Sequence, residues 1–155
     1  MFGSDLTAMI EDGAGLVVGT VGDDGEPRAT RAWSVTLVDP DERRVRVVVS
    51  ADDEVTVANL RVGTTLALNG ADVRTLRSVQ LKGRVVAVEA AGPDDLDSAR
   101  DQSERFLQAV HDTDGNPLEQ LRRILPIEVV VVEVVVVEMY DQTPGPDAGG
   151  ALVVP

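Results

Sequence analysis

Apolar and polar positions alternate with a period of two in several stretches of this chain, which read as a succession of strands. Residues 16–21 form the first, and Asp23, Asp24 and Gly25 supply the positive-φ tolerance of a tight hairpin. A second strand therefore returns over residues 28–38. Asp39, Pro40 and Asp41 make the next turn, and residues 44–50 close a meander. The period changes over residues 52–61, where Val55, Ala58 and Leu60 share one side of a short helix that Asp52 or Asp53 caps and Gly63 stops. Alternation resumes over 64–69 and 76–90, with Gly83 as a bend or bulge. Pro93, Asp94 and Asp95 open a helix whose stripe of Leu96, Ala99, Phe106, Leu107 and Val110 packs on one side of the sheet. Residues 127–140 are almost continuously β-branched, as in a long strand covered on both faces by the interior and a helix, or by a second subunit. A short helix over 5–11 precedes the strands, and 143–150, rich in Pro and Gly, is expected to be irregular.

Composition narrows the class. Of the 155 residues 43% are hydrophobic but only 3% aromatic, so Val, Leu, Ala and Ile must build the core. The absence of cysteine removes disulfides, thiolate metal sites and cysteine nucleophiles, and favours a cytoplasmic location. The first residues have neither the basic segment nor the apolar core of a secretory signal. A formal charge of −13 repels phosphate backbones and anionic lipid, so nucleic acid and membrane surfaces are not expected partners. The longest apolar run, 129–137, is broken by Glu133 and falls short of the roughly 20 residues a membrane helix needs.

Several familiar chemistries find no support. His111 is the single histidine, excludes a multi-histidine metal centre, and sits where a helix end would welcome its partial charge. Glycines 13, 15, 19, 22 and 25 match neither the dinucleotide nor the Walker spacing. The Asp doublets at 23–24, 52–53 and 94–95 stand at turns and helix starts, where capping explains them, and no metal site is expected.

One ordered set of residues points further. It runs from the hairpin with Gly25 and Pro27, through the strand carrying Arg28, Arg31 and Trp33 and the strand ending in Ser50, to the helix bearing Thr56, Asn59 and Leu60. Arg77, Ser78, Val79, Gln80, Leu81, Lys82 and Gly83 follow. Together these resemble the pyridoxamine 5'-phosphate oxidase-like FMN-binding split barrels, over about residues 16–88 with the last strand as a looser match. The resemblance implies a mainly β fold, a six- or seven-stranded antiparallel Greek-key split barrel with two or three flanking helices. Residues 1–142 would form the flavin-binding domain and 143–155 a C-terminal tail. It also implies a homodimer with FMN, or a deazaflavin coenzyme, in a groove between subunits, serving a small-molecule substrate or electron donor. Arg28 or Arg31 would then meet the flavin phosphate, Ser50 and Thr56 would donate to it, and Ser78 or Gln80 would face the ring edge, with Trp33, Asn59 and Lys82 also at the cofactor.

Each of these residues also has a simpler use. Arg28 and Arg31 could pair with surface carboxylates, Trp33 could be core, Asn59 a helix C-cap, and Lys82 part of a solvated strand face. Glu54, Val55 and Thr56 stand where the oxidase has a basic pair on the phosphate, which argues against oxidation of a vitamin phosphate. Flavin-dependent oxidoreductase, non-enzymatic dimeric module that binds a small ligand or has lost its cofactor, and deazaflavin reductase are therefore the three functions in play.

Overall fold

A computed structural model describes residues 4–153. Its elements are α1 (Ser4–Glu11), β1 (Gly15–Val21), β2 (Pro27–Asp39), β3 (Arg44–Ser50), α2 (Glu54–Asn59), β4 (Thr65–Ala71), β5 (Ser78–Ala90), α3 (Pro93–Asp114), α4 (Leu118–Leu121), β6 (Val129–Asp141) and β7 (Ala151–Leu152). Every strand pairing is antiparallel. The order β3-β2-β1-β4 sets the fourth strand beside the first, which is a Greek key, and pairing of β3 with β6 closes six strands into a barrel. β7 takes the edge of β6 at Met139 and Tyr140, beyond the last rung that β3 shares with it.

Local chemistry explains the turns. Gly25 stands at φ +80° in the β1–β2 hairpin, where its N–H donates to the Gly22 carbonyl at 2.9 Å. Asp53 caps α2 by accepting the Val55 N–H at 3.0 Å. Asp95 accepts the Gly92 N–H at 2.8 Å at the start of α3, and Gly115, at φ +73°, ends that helix.

Inward residues of β1 to β6, such as Val18, Val47, Leu68, Leu81 and Val134, fill the barrel. A second cluster joins Trp33, Val48 and Val131 to Ala99 of α3 on the outer side. This helix accounts for the continuous apolar stretch of β6 around Val131 and Val132. Farther along, Val137 is 54% exposed, so only part of the strand has two covered faces. Ile127, placed in this strand by its β-branching, instead precedes it and is exposed. On α3 the buried stripe is Ala99, Gln102, Ser103, Leu107 and Ala109, whereas Leu96 faces outward.

Four register shifts bend the sheet. At one of them Lys82 pairs with Glu138 and Gly83 with Val136, leaving Val137 as the extra residue, so the expected irregularity at Gly83 is present. A Cβ there would lie 2.5 Å from the Val135 carbonyl oxygen, which explains the glycine. None of the described helices is long and apolar enough to cross a membrane.

Candidate functional site

The expected site residues fall into three groups. The first gathers where α2 packs beside β1 and β2. Thr20, buried on β1, stands opposite Arg28 on β2, and the Asn59 Nδ2 donates to the Thr20 Oγ1 at 3.2 Å. Asn59 is the last residue of α2, while Leu60 takes the C-cap position. The Thr56 hydroxyl donates to Asp53 Oδ2 at 2.6 Å, and the Ser50 hydroxyl to Asp52 Oδ2 at 3.0 Å. Thr56's hydrogen bond, followed by the Val55 N–H and the charge of Arg28, holds the Asp53 carboxyl below its usual range against a partial desolvation.

A second group lies on the outer face of β5 and its neighbours. Cross-strand pairing sets Arg31, Val17, Asn69, Gln80 and Tyr140 in one row and Ala29, Gly19, Ala67, Lys82 and Glu138 in the next. The Lys82 Nζ sits 4.8 Å from the centroid of the Tyr140 ring. Tyr140 donates its hydroxyl to Glu138 Oε2 at 2.5 Å, and that bond raises its pKa above the ordinary phenol value. Ser78 is engaged through its backbone: its N–H donates to Thr143 Oγ1 at 3.1 Å, and its carbonyl accepts the Gln142 N–H at 2.9 Å.

The third group, Arg31 and Trp33, lies where β2 departs from strict alternation. Strict alternation puts both on one face with Val35 and Leu37. In the structure Ala32 pairs with Val49 and Ser34 with Val48, so Trp33 is an extra residue and the alternation resets. Val35 and Leu37 turn to the barrel interior, while Trp33 joins the cluster under α3 and Arg31 lies 5.8 Å from the Phe106 ring centroid of that helix. Arg28 pairs with inward Thr20 and Arg31 with outward Val17, so the two arginines occupy opposite faces of β2. Arg31 is therefore not brought to Thr56 and Ser50. Three strand spacings separate it from Gln80 along its row, up to about 14 Å.

Neither Arg28 nor Arg31 makes an ion pair among the described residues, and the same holds for Arg43, Arg77, Arg84 and Arg123, whereas seven other arginines do. Arg28 still acts on the Asp53 carboxylate through its charge, without a direct ion pair. Among the described residues no group of three or more His, Asp or Glu side chains converges as a metal site requires. Two participants escaped the sequence reading: Thr20, a polar residue at an inward phase of β1, and Tyr140, the single tyrosine. The phase of Thr20 was a usable signal.

The sequence profile described as Pyridoxamine 5'-phosphate oxidase matches residues 6–141. The chain belongs to this family. No curated protein matches its sequence. Among solved structures, HupZ of Group A Streptococcus is similar at 16% identity and TM-score 0.56, covering 96% of this chain and all of that one. An F420 reductase is similar at 15% identity and TM-score 0.54, covering 85% of this chain and 93% of its own. An FMN-binding protein from Syntrophomonas wolfei gives 12% and 0.50, covering 87% and 82%. At these identities the three show the shared fold. As a member of the oxidase family the chain has a six-stranded barrel, in which Asp52 and Asp53 engage the hydroxyls of Ser50 and Thr56.

Proposed function

We propose that two copies of this chain pair to hold a flavin, FMN in the first instance, in an oxidoreductase-like protein of the cytoplasm. The observation that carries this reading is Arg28: in a chain of formal charge −13 it keeps a guanidinium out of ion pairs beside Thr20 and Asn59. Such a cation suits a ligand phosphate. Arg28 would meet that phosphate, with Ser50, Thr56 and Asn59 near it. From the neighbouring subunit, Ser78, Gln80 and Lys82 would direct hydrogen bonds to the ring, for which Gly19 and Ala67 leave a low surface between longer side chains. Val17 and Val21, 41% and 59% exposed on the same strand, are apolar area that pairing of subunits would cover. Trp33 serves the α3 cluster in this reading, and Arg31 stays with Phe106.

The residues fit the two ends of a flavin unequally. Outer-face positions suit a flat ring with a few donors. At the phosphate end the Ser50 and Thr56 hydroxyls already donate to carboxylates, and Asp53 also occupies the first turn of α2. Bound flavin would supply hydride or electron transfer; the chain's part is to bind and orient it.

The Asp52 and Asp53 contacts favour a second reading, a dimeric module that holds a ligand other than a phosphorylated flavin. A deazaflavin in place of FMN is the third, in line with the fold shared with an F420 reductase. Titrating the purified protein with FMN and following fluorescence quenching separates them. Saturable binding supports the first reading. No binding up to roughly millimolar FMN, about −4 kcal/mol, overturns it. Tighter binding of the deazaflavin selects the third. A strictly monomeric species at micromolar concentration removes the intersubunit groove.

A further inference from the structure

Beside the start of α3, the outer face of β2 and β3 forms the floor of a cavity of about 680 Å³, apart from the residues of the flavin reading. Ser34, Thr36 and Val38 reach it from β2, since Ser34 pairs with Val48 of the outer cluster and Thr36 with Arg46. Ser98 of α3 stands opposite, its hydroxyl 3.3 Å from that of Thr36. Ser34 is 1% exposed, and its hydroxyl has no hydrogen-bond partner among the described residues, yet unlike the Trp33 Nε1–H it is not sealed from solvent. Its hydrogen bond therefore falls to whatever fills the cavity.

The first turn of α3 is the wall. Its N-cap is Gly92, which has no side chain to accept the N–H groups of Asp94 and Asp95, and neither finds another acceptor among the described residues. A helix of 22 residues thus opens on the cavity with two free donors. Charge then decides what can meet them. The Arg46 guanidinium, also at the cavity, is shared among Asp95, Glu133 and Glu89, and Asp94 adds a carboxylate with no ion pair among the described residues. This surplus of carboxylates repels an anion, and the positive end of the α3 dipole repels a cation. A hydroxyl suffers neither penalty, because it accepts from an N–H and donates to a carboxylate at once.

We propose that this cavity binds a small neutral polyol, a sugar or alditol with neighbouring hydroxyls. Its oxygens accept from the Asp94 and Asp95 N–H groups, its hydroxyls donate to the Asp94 carboxylate, and its inner end meets Ser34. Val38, Val48 and Pro93 supply apolar contact for its carbon atoms. The volume lies within the roughly 300–1,000 Å³ of small-molecule sites.

The experiment titrates the full chain with xylitol, and with pentanol as a probe of equal carbon number without neighbouring hydroxyls, followed in ¹H–¹⁵N spectra. Xylitol is expected to move the Asp95 amide resonance saturably in the millimolar range, with pentanol at least about fivefold weaker. Ser34→Ala, which removes one buried oxygen, and Asp94→Ala, at an exposed position, should each weaken xylitol binding at least about fivefold while leaving the remaining spectrum in place. Asp94→Ala decides alone if Ser34→Ala fails to fold. Inorganic phosphate and putrescine complete the set, and neither should saturate the site. An Asp95 resonance that does not move, equal affinity for xylitol and pentanol, or unchanged xylitol affinity in Asp94→Ala overturns the proposal. So does saturation by phosphate or putrescine, which would make the start of α3 a site for an ion.

Discussion

The side-chain amide of Gln102 occupies both hydrogen-bonding positions of the Val35 backbone, accepting its N–H at 3.1 Å and donating to its carbonyl at 3.0 Å. The need arises because β2 outlasts β1: the ladder between them ends with Leu16 opposite Ala32, leaving the later residues of β2 without a strand on that side. Gln102 stands in for the missing strand, and Glu11 of α1 does the same two residues on by accepting the Leu37 N–H at 2.7 Å. Gln102→Ala should therefore lower stability by about 2–4 kcal/mol, because a buried donor and acceptor are both left unmade. Urea unfolding checks this as a lower midpoint at unchanged slope. Gln102→Glu adds a sign test. A protonated acid can replace both bonds and burial raises its folded pKa, so that variant should be most stable at low pH and weaken as pH rises.

Arg46 ties three carboxylates from three elements to β3. Its Nε and Nη2 meet Asp95 at 2.6 and 3.0 Å, and its Nη1 meets Glu133 at 2.8 Å and Glu89 at 3.0 Å. The bidentate contact anchors the start of α3, because Asp95 also accepts the Gly92 N–H there. Arg46→Gln should cost about 2–4 kcal/mol, since Asp95 and Glu133, each largely shielded from solvent, lose their cation together.

The same contact gives a pH dependence. The Arg46 hydrogen bond is the first cause holding Asp95 below its ordinary value of 3.8, outweighing partial desolvation. A depressed acid stabilises the fold fully above its unfolded pKa and loses that contribution as pH falls through the folded one. The stability gap between the wild type and Asp95→Asn should stay level above about pH 5 and shrink below about pH 4. A gap that widens on acidification would contradict the assignment.

Gly83→Ala tests the bend where β5 and β6 change register. The added Cβ would sit 2.5 Å from the Val135 carbonyl oxygen, and backbone cannot move aside as a flexible side chain can. A loss of about 1–3 kcal/mol is expected, the range of overpacked cores. Gly19→Ala, on the outer face with only Ala67 near its Cβ at 3.9 Å, is the contrasting variant and should be close to neutral in the single chain.

Period-two patterning made the strands legible because each has one face in the barrel, and the turns were legible because Asp and Gly cap and reverse the chain there. The extra residue at Trp33 was not, since the adjacent apolar pair Ala32 and Trp33 and the charge of Arg31 in the phase of Val35 hint at a break but do not locate it until cross-strand partners are known. That one insertion misplaced Val35 and Leu37 relative to Arg31. Gln102 was missed for a related reason: its value lies in reaching β2, 67 residues away in sequence, and on the helix it reads as a polar break in the stripe. Closure of β3 onto β6 is likewise a long-range pairing that local pattern cannot state. At the candidate site, Ser50, Thr56 and Asn59 share one neighbourhood as their order suggested, but the hydroxyls face Asp52 and Asp53. Those aspartates were read as caps, and Asp53 is one; their competition for donors became visible only with distances.

Competition for donors yields the last prediction. Asp53 takes the Thr56 hydroxyl and the Val55 N–H, so an incoming phosphate meets a carboxylate where a donor would be needed. Asn is as good an N-cap as Asp, so Asp53→Asn should leave α2 and the fold intact while removing one negative charge beside Arg28. FMN affinity should then rise by about 5–30-fold, equivalent to about 1–2 kcal/mol, measured by fluorescence quenching at fixed ionic strength. Riboflavin, which lacks the phosphate, should respond by less than about twofold, so the ratio of the two effects isolates the phosphate end. Equal gains for both ligands would place the influence of Asp53 on the ring, and no gain for either would detach the α2 cluster from flavin binding altogether.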